Sequence, residues 1–97
     1  MTVVQFLAAA SEELEAAASY YENHRSGLGR QLVAEARKTR DRIVALPNAA
    51  PEIRSGIRRR TIHRFPYHII YRASAHRILI VAVAHKRRRP DYWAGRV

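Results

Sequence analysis

The sequence predicts an α+β domain of order β-α-α-β-β-β, an N-terminal helical hairpin packed on a mainly antiparallel four-stranded sheet. Three observations predict it. Apolar residues recur with helical spacing between residues 8 and 46, the period shortens to two beyond Ile57, and a seven-residue apolar run, Ile78 to Ala84, follows. With 97 residues, 47% of them hydrophobic, there is material for one small core, so residues 1–97 are expected to form a single domain with a basic tail over 85–97.

Each element has its own signal. Thr2 to Leu7 (TVVQFL) is short, β-branched and aromatic, which suits a strand. In the Ala- and Glu-rich stretch Ala8 to His24, Leu14, Ala17, Ala18 and Tyr21 fall at i, i+3, i+4 and i+7, one face of a helix. Glu12, Glu13 and Glu15 lie early in it, where the helix dipole favours negative charge. Ser26-Gly27-Leu28-Gly29 ends this helix, glycine supplying the left-handed conformation. The second helix runs from about Leu28 to Leu46 with Leu28, Leu32, Ala36, Ile43 and Leu46 on one stripe, and Pro47 stops it. The short link makes the two helices an antiparallel hairpin.

Asn48 to Gly56, interrupted by Pro51, is expected to be a loop. Ile57 to Ile62 is an arginine-rich strand, and Phe65, Tyr67, Ile69 and Tyr71 alternate with Pro66, His68, Ile70 and Arg72. Ala73-Ser74-Ala75-His76 is the expected turn, although it lacks the Asn-Gly signature. Ile78 to Ala84 is apolar on both faces, which places it centrally in the sheet. The basic, aromatic tail His85 to Val97 can end in a short helical turn.

Charge is concentrated in the strand half. The whole chain carries 18 Lys and Arg against 8 Asp and Glu, a net charge of +10. Residues 1–53 hold six bases and seven acids, net −1, whereas residues 54–97 hold twelve bases and one acid, net +11. Such asymmetry points to a polyanionic partner, either nucleic acid or an acidic protein segment. Sixteen of the 18 bases are arginine, the side chain that binds phosphate and carboxylate bidentately.

Other function classes are excluded by what the sequence lacks. Without cysteine there is no disulfide scaffold or thiolate metal site. There is no P-loop, dinucleotide fingerprint or zinc-finger spacing, and His24, His63, His68 and His76 have no metal-ligand spacing, so no cofactor or metal is assigned. The longest apolar run is far short of the roughly 20 residues of a membrane span. The N-terminal segment has no basic region ahead of its apolar residues. The expectation is a soluble cytoplasmic protein with no membrane partner.

Several fragments taken in order carry a family resemblance. Tyr20-Tyr21-Glu22 and Gly27-Leu28-Gly29 precede Arg58-Arg59, Arg64-Phe65-Pro66-Tyr67 and Tyr71-Arg72, and the run His85-Lys86-Arg87-Arg88-Arg89-Pro90-Asp91-Tyr92-Trp93 leads to Arg96. Over nearly the whole chain this resembles the RelE/ParE superfamily of bacterial toxins, and the RFPY, YR and H-x-R-R-x-P pieces together resemble its ParE-like branch. The resemblance implies the toxin of a type II toxin–antitoxin pair, neutralised by a cognate antitoxin that is acidic, partly disordered and DNA-binding. It implies inhibition of DNA gyrase for a ParE-like member and ribosome-dependent mRNA cleavage for a RelE-like one.

Ribonuclease chemistry needs a base, an acid for the leaving oxygen and cations for the charge on phosphorus. The candidates here are His85 and Tyr92 for proton transfer, with Arg64 and Arg72 among the charge-stabilising cations. No carboxylate base is well placed, because Glu52 is the only acid between Asp41 and Asp91. The set is partly present, and an enzyme is not the favoured expectation. The candidate surface for a target or another anion comprises Arg58, Arg59, Arg60, Arg64, Lys86, Arg87, Arg88, Arg89, Trp93 and Arg96. A ribosome-dependent endoribonuclease and a non-toxic basic nucleic-acid-binding module remain the alternatives to gyrase inhibition.

Overall fold

The computed structural model describes all residues from Met1 to Val97. The elements are β1 (Val3–Phe6), α1 (Ala8–His24), α2 (Leu28–Ala45), β2 (Glu52–Arg54), β3 (Ile57–Thr61), β4 (Tyr67–Ser74) and β5 (Arg77–His85), followed by a 3-10 turn at Ala94–Arg96. The five strands form one sheet of order β1-β5-β4-β3-β2. All neighbours are antiparallel except β1 and β5, which run parallel from Val3 opposite Arg77 to Phe6 opposite Ile80.

The α+β class, the hairpin and the mainly antiparallel sheet are as expected, with one strand more than the sequence predicted. β2 lies inside the stretch expected to be loop, and it pairs Glu52 with Arg58 and Arg54 with Ile57 across a tight turn at Ser55-Gly56. Gly56 has φ +76, a backbone that glycine adopts without a Cβ clash. Three residues with an irregular register are too few to show a period of two. The expected turn at Ala73–His76 is also shorter than predicted. Ala73 and Ser74 stay in the ladder opposite Ile78 and Arg77, leaving Ala75-His76 as the loop.

The double-sided apolar run in β5 has a direct explanation. β5 lies between β1 and β4, and both faces of the sheet are covered. On one face Ile78, Ile80 and Val83 join Leu32, Ala36 and Ile43 of α2 and Ala10 and Ala17 of α1. On the other face Val81, Ala82 and Ala84 meet Ile57, Ile70 and Trp93. The register between β4 and β5 slips between Ile70 and Tyr71, where Val81 is the extra residue. This bulge lets adjacent Val81 and Ala82 both serve the second face.

The hairpin link depends on two glycines. Gly27 has φ +88 and starts α2. At Gly29 a Cβ would stand 2.3 Å from the Ala18 carbonyl oxygen, so only glycine lets α2 approach α1 here. Glu22 fixes the link by accepting the N–H of Gly27 at 2.8 Å and of Gly29 at 3.0 Å. The bond from Gly27, with that from Gly29, holds its carboxyl below the usual value against the opposing effect of desolvation.

Candidate functional site

Strand alternation decides where the basic residues go. Arg59 and Thr61 follow Ile57 at steps of two and therefore share the second face, and His68 stands two residues before Ile70 on that same face. Arg58 points to the hairpin side. There it donates to the carbonyls of Asn48 at 3.2 Å and Ala50 at 2.8 Å and pairs with Glu52 at 3.7 Å.

The tail crosses the second face. Its course is set by the Lys86 N–H on the Pro66 carbonyl at 2.9 Å, the Arg88 N–H on the His85 carbonyl at 2.9 Å, and the Arg87 N–H on His85 Nδ1 at 3.0 Å. Asp91 then turns the chain with φ +61 and drives Trp93 into the core cluster, where it is 3% exposed. Trp93 is thus a packing residue that closes the second face, and its ring is not offered to a partner in this conformation.

A carboxylate from α1 fastens the tail. Glu13 accepts the Tyr92 hydroxyl at 2.6 Å, the Val83 N–H at 3.0 Å, and both terminal nitrogens of Arg96 at 2.9 and 3.0 Å. Arg96 also donates to the Val81 carbonyl at 3.1 Å. Together Glu13 and Arg96 satisfy the edge of β5 beyond Ile80, where β1 has ended. Burial pushes the Glu13 carboxyl up, but bonds from Arg96, Tyr92 and Val83 outweigh it and hold it below its ordinary value. Burial, then the bond to Glu13, push the Tyr92 phenol well above the usual range. The Arg88 guanidinium stacks 4.0 Å from the Tyr92 ring centre.

Between β3, β4 and the tail lies a cleft of about 280 Å³. Arg59, His68, His85, Lys86 and Arg88 line it, Asp91 and Tyr92 stand at the tail side, and Ile53, Ile70 and Trp93 supply apolar wall. His68 shares a 3.0 Å hydrogen bond with the Thr61 hydroxyl through Nδ1. Burial, with the charges of Arg59 and Lys86, pulls its pKa below the ordinary histidine value and favours the neutral ring.

The predicted site residues separate into groups. Arg59, Lys86, Arg88, His85 and Tyr92 meet at the cleft. Arg87 and Arg89 are exposed in the tail, and Arg72 is exposed on β4 beside Arg54 in a separate shallow hollow of the second face, next to Ile57 and Ala94. Arg60 is half-buried on β3. Arg64 is exposed in the β3–β4 turn at φ +72. Arg58 and Arg96 are consumed by internal contacts, and they are the only two of the twelve bases after Ile53 with a carboxylate within 4 Å. Sequence reasoning missed Glu13 and His68. Glu13 lies 79 positions before Tyr92, so a search for a carboxylate near the tail in sequence passes over it. For His68, the alternation with Ile70 was the available signal.

For proton transfer the arrangement offers little. The Tyr92 hydroxyl is donated to Glu13, and His85 Nδ1 is occupied by the Arg87 N–H. What the face offers is exposed positive charge around an apolar-walled cleft. No helix is long and apolar enough to cross a membrane.

Residues 4–90 match the family model described as ParE toxin of type II toxin–antitoxin system, parDE. Among solved structures, one titled "Chromosomal ParDE TA system from P. aeruginosa" is similar with a TM-score of 0.76 and 18% identity, over 88% of this chain and 96% of that chain. This likeness is one of fold. A comparison of the sequence with curated proteins finds no match.

Proposed function

Because the chain belongs to the ParE toxin family of type II toxin–antitoxin systems, we propose that it arrests growth by binding DNA gyrase in the cytoplasm through its basic second face and tail, and that a cognate antitoxin neutralises it. The observation that carries this reading is the set of ten bases after Ile53 with no carboxylate within 4 Å, gathered largely on one side of the sheet and in the tail. Such a surface is suited to docking on a large anionic target. An acidic, partly disordered antitoxin segment has two places to act. It can cover the bases directly, or settle in the groove of about 240 Å³ that Phe6, Leu14, Val33 and Ala36 line between β1 and the hairpin.

Ribonuclease chemistry has less support, since Tyr92 and His85 are held in internal hydrogen bonds. The test is expression of the chain alone in bacteria, which should stop growth, and with its neighbouring antitoxin, which should restore it. Purified protein should block supercoiling by gyrase while leaving mRNA intact in a translating extract. Normal growth at good soluble expression overturns the toxin reading. Cleaved mRNA with unaffected supercoiling replaces gyrase with the ribosome.

A further inference from the structure

We propose that the cleft between β3, β4 and the tail is a binding site for one phosphate group of a nucleic-acid strand, with Arg59, Lys86 and Arg88 as its cationic ligands and His68 as the residue that makes its affinity depend on pH. The inference rests on the second face being the working surface, and it names the chemistry of one place on it.

Convergence is the first argument. The cations come from two segments far apart in sequence, Arg59 from β3 and Lys86 and Arg88 from the tail that follows β5, and none has a carboxylate within 4 Å. All three are exposed, and Arg88 is aligned by the Tyr92 ring that Glu13 holds. The second argument is the number of donors. Three cations and an imidazole gather several donors and a surplus of positive charge in one place, and a terminal phosphate, with three acceptor oxygens and about −1.5 to −2 charge, offsets more of that surplus than the single charge of one carboxylate. The third is the wall. Half-buried Ile53 and exposed Pro90, in front of the buried Ile70 and Trp93, give the cleft an apolar side, which suits the sugar or base attached to a phosphate better than a peptide's flexible acidic side chain.

His68 supplies the pH dependence. The groups facing it are Arg59 from β3, His85 from the end of β5, and Lys86, Arg88, Asp91 and Tyr92 from the tail, while Ile53 of β2 adds no charge. Burial, and then the charges of Arg59 and Lys86, lower the His68 pKa and favour the neutral imidazole. A bound phosphate reverses that balance and favours the imidazolium, which then donates to it. Binding therefore takes up a proton, and affinity rises as pH falls through the range between the lowered free value and the higher bound value.

The experiment is a titration of the ¹⁵N-labelled protein, followed by NMR, with inorganic phosphate, a six-residue oligothymidylate with and without a 5′-phosphate, and a hexaglutamate peptide, each at pH 5.5 and pH 8. The expected result is saturable shifts at His68 and Arg59 with phosphate and both oligonucleotides. For the oligothymidylate without a 5′-phosphate, whose diesters keep their charge over this range, affinity should be several-fold higher at pH 5.5, and the gain should be lost in His68→Gln. Arg59→Ala should weaken binding about tenfold, and Arg59→Gln, which keeps much of the stem and removes the charge, provides the same comparison if the alanine variant does not fold. A 5′-phosphate preference assigns the site to strand ends, and equal binding assigns it to the diester backbone. Shifts spread evenly over Arg87 and Arg89, equal affinity at both pH values, or tighter binding of hexaglutamate overturn the proposal. Growth arrest is scored separately: phosphate binding without toxicity removes only the gyrase reading, and toxicity without phosphate binding removes only this one.

Discussion

Replacing Glu13 by alanine tests how the tail is held. The substitution removes the acceptor of the Val83 N–H, the Tyr92 hydroxyl and both Arg96 nitrogens at once. Hydrogen bonds to charged groups contribute about 1.5–3 kcal/mol each, but four on one carboxylate do not add. Breaking a buried ion pair costs about 3–5 kcal/mol. Glu13 and Arg96 side chains are 16% and 23% exposed, and Arg96 keeps the Val81 carbonyl, so the low end applies, about 3 kcal/mol. For a domain of this size that lowers the melting temperature by about 12–24 °C.

Circular dichroism measures the melt, and Trp93, the single tryptophan, reports on the tail because it is buried only while the tail is docked. Its emission should shift to the red in Glu13→Ala before global unfolding. Acid provides a second reading. The Glu13 carboxyl is held below its ordinary 4.5, so the unfolded chain takes up the proton more readily. Its contribution is complete above that value and is lost as pH falls through the lower folded value. Glu13→Gln should flatten this acid slope. A melting temperature within about 2 °C of the parent, with unchanged Trp93 emission, refutes the reasoning.

Further predictions concern the fold around the site. Gly29→Ala pushes a Cβ against the Ala18 carbonyl and should cost about 2–3 kcal/mol in urea unfolding, whereas an unchanged midpoint means the helices can separate freely. Arg64→Gly relieves a left-handed backbone and should raise stability by about 1 kcal/mol, while Arg64→Val should lower it, both read from thermal melts. Tyr71→Phe removes a 2.7 Å bond to the Pro47 carbonyl and should lower stability by about 1–2 kcal/mol, measured by denaturant titration. Loss of nucleic-acid affinity between 50 and 200 mM salt should be steep, and removing Arg59 should make the logarithmic slope shallower by about one.

The helices were the most legible part of the sequence. Leu14, Ala17 and Tyr21 in α1 and Leu32, Ala36 and Ile43 in α2 carry their period locally, and the ends at His24 and Ala45 fall within a residue of the expected ones. Alternation from Phe65 to Tyr71 was equally readable, as was the covered state of both faces of Ile78–Ala84. The parallel pairing of β1 with β5 was not, because hydrophobic pattern reports burial and not the partner. The same limit applies to the site. A cluster of arginines is visible in one dimension, yet which of them are consumed depends on Glu13, Asn48 and Ala50 arriving from elsewhere. Arg58 and Arg96 drop out of the candidate surface on those contacts, and Trp93 drops out by burial.

The union of β1 with β5 also bears on how the molecule is made. Val3 finds its partner only when Arg77 has been synthesised, more than 70 residues later. Closing so long a loop costs about 4 kcal/mol of chain entropy, repaid only once the strand is seated. The helical hairpin and the β3–β4–β5 meander, whose contacts are short-range, can assemble first, with β1 added last. Until then Val3 and Val4 form an unpaired, sticky strand beside the nascent hairpin, so β1, made well before its partner, is the segment a chaperone or a folding-rate measurement should find free the longest.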